Sequence, residues 1–110
     1  MLRERFEYDT LLEEVVLGAC LIEQTAFART KGLVDAEMFY MDVHKDIYRT
    51  LCEMFDDSFP IDTVIFAQIS IKKGLADKYH YLFEKVAEIT SKVASTANLE
   101  MHCLLIRELF

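Results

Sequence analysis

A chain of 110 residues has room for one domain, and its 53% hydrophobic content, with eight Phe and five Tyr, supplies a core and argues against disorder. The net charge is −7: six Lys/Arg face eleven Asp/Glu in residues 1–55, and six face eight in residues 56–110. No basic cluster exceeds Lys72-Lys73, so direct nucleic-acid binding is not expected.

Only three Gly and one Pro are present, which favours helices with short connections over a many-stranded sheet. The first helix is predicted over Leu11 to Ile22. Thr10 and Glu13 have capping-box spacing, and Leu11, Leu12, Val15, Val16, Ala19 and Cys20 recur near a 3.6 period. Gly18 inside that helix predicts close approach of another helix, because no Cβ intervenes. A short helix is expected after Thr25, ending at Gly32 as a C′ residue, and Asp35 is expected to cap a further turn in "AEMF". Asp42 is read as the cap of the clearest helix, whose stripe is Val43, Ile47, Leu51 and Met54, ending in "DDSFP".

"TVIFAQISI" is β-branched enough for a strand, yet Asp62 is a good N-cap and Ile65, Ile69 and Lys73 follow at helical spacing to Gly74. A lone strand would leave its backbone groups unpaired, so a helix is predicted. "DKYHYLFEKVAEI" reads as one helix with Tyr79, Leu82, Phe83, Val86 and Ile89 on one side. Ser95 or Thr96 is expected to cap a last helix bearing Ala97, Met101, Leu104, Leu105 and Leu109. That helix carries no stop signal before Phe110, which points to a piece of a longer protein.

Cys20, Cys52 and Cys103 are widely spaced without a CxxC pair, reading as small buried hydrophobes in a reduced, cytoplasmic setting, with no zinc site. No signal peptide and no apolar run of transmembrane length is visible.

His44, between Asp42 and Asp46, is the candidate metal ligand or general base. On a helix both acids lie about 200° around the axis from it, so the three do not converge. His80 and His102 show no metal-ligand spacing with it. A histidine starting a helix and bonding a neighbouring turn is the favoured reading. Glu13-Glu14 and Asp56-Asp57 are adjacent pairs that diverge by about 100°, reading as caps and solvated face rather than acid–base dyads. No GxSxG, GxxxxGK[ST] or GxGxxG pattern occurs, so no catalytic residue, metal or cofactor is assigned. Phe39, Tyr40, Tyr48, Phe55 and Tyr79 default to the core, whereas Phe59, in a loop, and Tyr81, off the Leu82 stripe, are candidate partner-binding residues.

The order of these pieces resembles the N-terminal domain of DnaB-type replicative DNA helicases. They are "EEVVLGACLIE", Phe39-Tyr40 followed by "HKDIY", "PIDTV", "KKGL", Tyr81-Leu82 and "STANLEMH". The similarity runs over nearly the whole chain, from the first helix to the last, and rests on order and spacing together. The resemblance implies an all-α, compact orthogonal bundle of about five to six helices, residues 1–110 forming one domain without a catalytic centre. It implies a collar role: packing against copies of itself and binding primase and, in some systems, a loader, with ATP hydrolysis in a separate domain beyond a helical hairpin. "GLADKYHYL" lacks the Gly-Gly usual in the family at that point. Without the hairpin the chain is expected to self-associate weakly, as monomer or dimer. Two other readings are a stand-alone helical adaptor for helicase or primase, and a small enzyme using His44.

Overall fold

Helix α1 (Glu7–Ile22) is the hub: it packs on five of the other helices. The computed structural model describes residues 7–93 and 95–110, with side chains from residue 9 onward. Among these residues the remaining elements are α2 (Gln24–Lys31), a 3-10 turn at Ala36–Met38, α3 (Asp42–Asp56), α4 (Thr63–Lys72), α5 (Leu75–Lys78), α6 (Leu82–Ser91) and α7 (Leu99–Leu109). The all-helical class expected from the sequence is what folds, and no strand occurs among the described residues. One of the seven α-helices, α5, is a single turn.

A central helix must be apolar around most of its circumference. Val16, Leu17, Ala19, Cys20 and Leu21 are all buried, on several faces of α1. Thr10 lies inside this helix, so it is not the N-cap, and Glu13 is buried rather than capping. Gly18 does what its position predicted. A Cβ there would meet the Ile89 carbonyl oxygen at 2.7 Å and Val93 Cγ2 at 2.6 Å, so α6 lies directly against the α1 backbone.

α2 begins at Gln24, earlier than expected, and Gly32 follows it with φ −77°, a right-handed conformation. The left-handed C′ role is not needed there, because Leu33 and Val34 amides both reach back to the Thr30 carbonyl. Asp35 and Asp42 sit at helix starts, but neither side chain caps one. Asp35 precedes the 3-10 turn without a cap bond, and Asp42 is already the first residue of α3, with Met41 at the cap position. Asp42 still faces the positive end of the helix dipole.

The α3 stripe is as predicted: Val43, Ile47, Leu51 and Met54 are buried. Tyr48 lies beside them, its ring 5.6 Å from Phe27 and 5.1 Å from Phe39, its hydroxyl donating to the Val34 carbonyl at 2.8 Å. α3 ends in a Schellman turn. The Phe59 amide bonds the Met54 carbonyl, the Ser58 amide bonds the Phe55 carbonyl, and Ser58 takes φ 62° between them.

The ambiguous segment is helical, and Asp62 accepts from the Ile65 amide at 2.8 Å as an N-cap. Asp62→Ala is expected to cost ~1 kcal/mol, read as a lower urea midpoint with an unchanged slope. Gly74 stops α4 with φ 79°.

Three expectations fail nearer the C-terminus. The helix read through "DKYHYLFEKVAEI" is broken, because Tyr79 is extended (φ −125°, ψ 97°) between α5 and α6. Its hydroxyl is drawn to Asp46 on α3, 2.7 Å away. Phe83 is exposed, while Leu82, Val86 and Ile89 are buried. α7 starts at Leu99 with Asn98 before it, so neither Ser95 nor Thr96 caps it; Ser95 Oγ accepts instead from the Ala97 amide. Its inward face is Leu99, Cys103 and Ile106, and Met101, Leu104 and Leu105 point out. A helix apolar on both sides leaves the choice of face to its neighbours.

Candidate interaction surface

His44 sits in the first turn of α3, completely buried. Its Nδ1 is 2.7 Å from Glu13 Oε1 on α1, a partner 31 residues away and not Asp42 or Asp46. The other Glu13 oxygen accepts from the Tyr40 amide at 2.7 Å. His44 Nε2 is also buried and has no hydrogen-bond partner among the described residues. Glu13 thereby ties α1 to the start of α3 and to the loop before it. An imidazole enclosed on both sides has no face open to a substrate, so the pair acts as a polar pin inside the core. Asp46 works elsewhere. It accepts from Lys78 and Tyr79, and although burial raises its pKa, those bonds hold it below the usual carboxylate value.

Glu14 faces away from Glu13, as adjacent helical residues do, and it too is buried rather than solvated. Lys85 and Lys92, both C-terminal to it by most of the chain, reach it at 2.9 and 2.6 Å. Burial raises the Glu14 pKa, and the bonds from Lys92 and Lys85 outweigh it, leaving the carboxyl below its ordinary value. Asp56, predicted solvated, is exposed and pairs with Lys31 at 2.7 Å.

The thiols carry no reactive signature. Burial pushes Cys20 up to about 12 and raises Cys103, and both sulfurs approach the Thr30 hydroxyl, at 3.4 and 3.8 Å. Cys52 is half-buried rather than buried. Among the described residues no group of three or more His, Cys, Asp or Glu side chains is placed to hold a metal, and no helix is long and apolar enough to cross a membrane.

What remains is surface. Phe59 and Tyr81, the two aromatic residues predicted to leave the core, are 47% and 49% exposed. They serve different places. Tyr81 precedes α6, its ring edge-on to Tyr79 at 6.1 Å. Phe59 lines a groove of about 680 Å³ between the end of α3 and α4, together with Val64, Ile69 and Ile71. The Schellman turn at Ser58 puts Phe59 there. Val64 and Ile71 are 69% and 54% exposed, so α4 is apolar on its outer side as well as its inner one. Sequence reasoning missed this groove, because β-branched residues in α4 suggested only strand or buried helix. It also missed Tyr40, which is exposed although read as core. Exposed apolar area gathered in one depression marks contact with another molecule more often than scattered residues do.

Comparison with known proteins places this architecture. Residues 6–108 match the model of the DnaB-like helicase N terminal domain. Three curated relatives are each described as replicative DNA helicase DnaB. That of Rhodothermus marinus is 32% identical over 97 residues, covering 88% of this chain and 10% of that protein. That of Synechocystis sp. is 25% identical, covering 87% and 11%, and that of Buchnera aphidicola 24% identical, covering 87% and 20%. The chain thus spans a tenth to a fifth of the length of these relatives. Among solved structures, the N-terminal domain of DnaB helicase from Mycobacterium tuberculosis shares the fold, with a TM-score of 0.84 at 22% identity, covering 91% of this chain and 72% of that one.

Proposed function

The chain belongs to the family of DnaB-like helicase N-terminal domains, and on that premise we propose that it is a non-catalytic assembly and docking domain of DNA replication. In this reading it packs against copies of itself in a collar and offers a surface to primase and, in some systems, to a loader. ATP hydrolysis and movement along DNA belong to another part of the helicase. The observation that carries the reading is the family match over residues 6–108. The −7 net charge and the absence of a basic cluster suit protein partners better than nucleic acid. The exposed Phe59, Val64, Ile71 and Tyr81 supply apolar contact area. Residues 1–110 act as one domain in this proposal, free of cofactors.

Titration of the labelled chain with primase tests it, and saturable binding is expected. Tyr81→Ala should raise the primase Kd about tenfold while lowering the melting temperature by no more than a few degrees, since half the ring is already in water. A large thermal loss would make Tyr81 a packing residue. Sedimentation equilibrium should show monomer or dimer; a stable hexamer would count against the weak self-association proposed for this chain.

A further inference from the structure

The turn between α5 and α6 is not encoded by its own residues. It is a type I β-turn over residues 79–82: the Leu82 amide bonds the Tyr79 carbonyl at 3.0 Å, and Tyr81 takes φ −95° and ψ 12°. Its residues are Tyr79, His80, Tyr81 and Leu82, with none of the Gly, Pro, Asn, Asp or Ser that make such a turn locally. From 75 to 91 the chain contains no Gly and no Pro. Leu75, Tyr79, Leu82, Val86 and Ile89 recur there at alternating steps of four and three, the stripe of one uninterrupted helix. Asp46 on α3 holds the turn from outside. It accepts from Lys78 at 2.8 Å and from the Tyr79 hydroxyl at 2.7 Å, with Arg49 of its own helix at 3.1 Å. Adjacent residues of a helix diverge by about 100°. The extended Tyr79 instead brings its hydroxyl to the carboxylate that already takes Lys78. On the other side of α5, Gly74 joins it to α4 at φ 79°, and a Cβ there would have nothing within 4 Å.

We propose that residues 74–82 form a two-state conformational device governed by Asp46. In one state Asp46 grips Lys78 and Tyr79, and the turn separates α5 from α6. In the other the grip is lost, residues 79–81 close into the helix, and α5 and α6 become one helix over 75–91. Leu75, Leu82, Val86 and Ile89 are buried and Tyr79 packs on the core in the first state, and the same five residues line one side of the helix in the second. The balance therefore lies between the Asp46 bonds and the helical hydrogen bonds open to the His80 and Tyr81 amides, neither of which bonds a backbone carbonyl in the turn. Gly74 is the joint on which α4 is re-aimed, and the exposed Tyr81 turns with the helix. The Asp46 side chain is 17% exposed, so a competing cation is the chemistry that throws the switch. The device stands apart from the partner-binding reading above.

Backbone Cα chemical shifts and amide exchange of the whole chain, by NMR, test it. The unsubstituted chain should show non-helical shifts at 79–81 and fast exchange at His80 and Tyr81. Asp46→Ala should give helical shifts without interruption from 75 to 91, with exchange at those two amides slowed about tenfold. A folded Asp46→Ala variant whose shifts at 79–81 match the parent would overturn the proposal. Should Asp46→Ala fail to fold, the double variant Lys78→Ala/Tyr79→Phe, which leaves α3 untouched, is decided by the same two outcomes. His80→Pro supplies the other arm. Proline suits the second position of a type I turn and breaks a continuous helix. It should leave the parent's melting temperature within a few degrees and abolish the helical shifts when combined with Asp46→Ala. A large thermal loss from His80→Pro alone, or helical shifts at 79–81 in the unsubstituted chain, would mean that Asp46 holds no turn open and would overturn the device.

Discussion

His44→Ala is expected to unfold the domain at a markedly lower temperature, by about 10–20 °C. The substitution removes the hydrogen bond that joins α1 to α3 and empties space around a side chain with 0% exposure. A lost buried hydrogen bond costs ~1–3 kcal/mol, and the cavity adds to it, so a total of ~3 kcal/mol is expected. A small chain of this size converts each kcal/mol into ~4–8 °C of melting temperature. Calorimetry on His44→Ala, Glu13→Gln and the double variant measures the pair directly. The losses should be non-additive by ~1–3 kcal/mol, because either change alone disrupts the same contact. An enzyme using His44 predicts the reverse: lost activity in a domain of unchanged stability. A melting temperature within a degree or two of the unsubstituted chain would reopen that reading.

The second large effect is at Gly18. Alanine in place of glycine within a helix ordinarily gains ~1 kcal/mol. Here the new methyl would stand 2.7 Å from the Ile89 carbonyl oxygen and 2.6 Å from Val93 Cγ2. Val93 can turn aside, but the Ile89 carbonyl, in the last turn of α6 and bonded to the Lys92 amide, moves only with its helix. Overpacking of this kind costs ~1–3 kcal/mol, so Gly18→Ala should be net destabilising by ~1 kcal/mol and Gly18→Leu by ~3 kcal/mol or more. Urea unfolding with unchanged slope is the measure. A Gly18→Ala variant more stable than the parent would mean that α1 and α6 stand further apart.

The sequence made the helices legible wherever one side was plainly apolar and the other plainly polar. The α3 stripe and the Asp62 cap could be read directly, since each depends on neighbours within a turn. Gly18 could be read because a glycine inside a good helix needs a reason. What could not be read were pairings made across the fold. Glu13 and Glu14 resemble any acidic surface pair until α3 and α6 arrive to bury them. α7 offers apolar residues on two faces, and its packing on α1 and α2, where Cys103 meets Thr30, decides which one turns inward. The break at Tyr79 depends on Asp46, 33 positions earlier. The exposed Phe59 and Tyr81 were legible, Phe59 from its loop and Tyr81 from standing off the apolar stripe. The groove beside Phe59 was not, because it is a shape made by two helices.

The double grip of α6 on Glu14 also sets the order of events at the ribosome. α1 leaves the exit tunnel before α6, and the lysines that meet Glu14 lie 71 and 78 residues later in the chain. Arg29 waits equally long for Glu100, 71 residues on. At ~5–20 residues per second, translation delivers these partners several seconds after α1 and α2 are made. Until then the faces of the hub helix that meet α6 and α7 have no cover. Contacts so distant in sequence make the last step of folding slow relative to a bundle of neighbouring hairpins. The nascent domain therefore closes late, when nearly all of it has been synthesised.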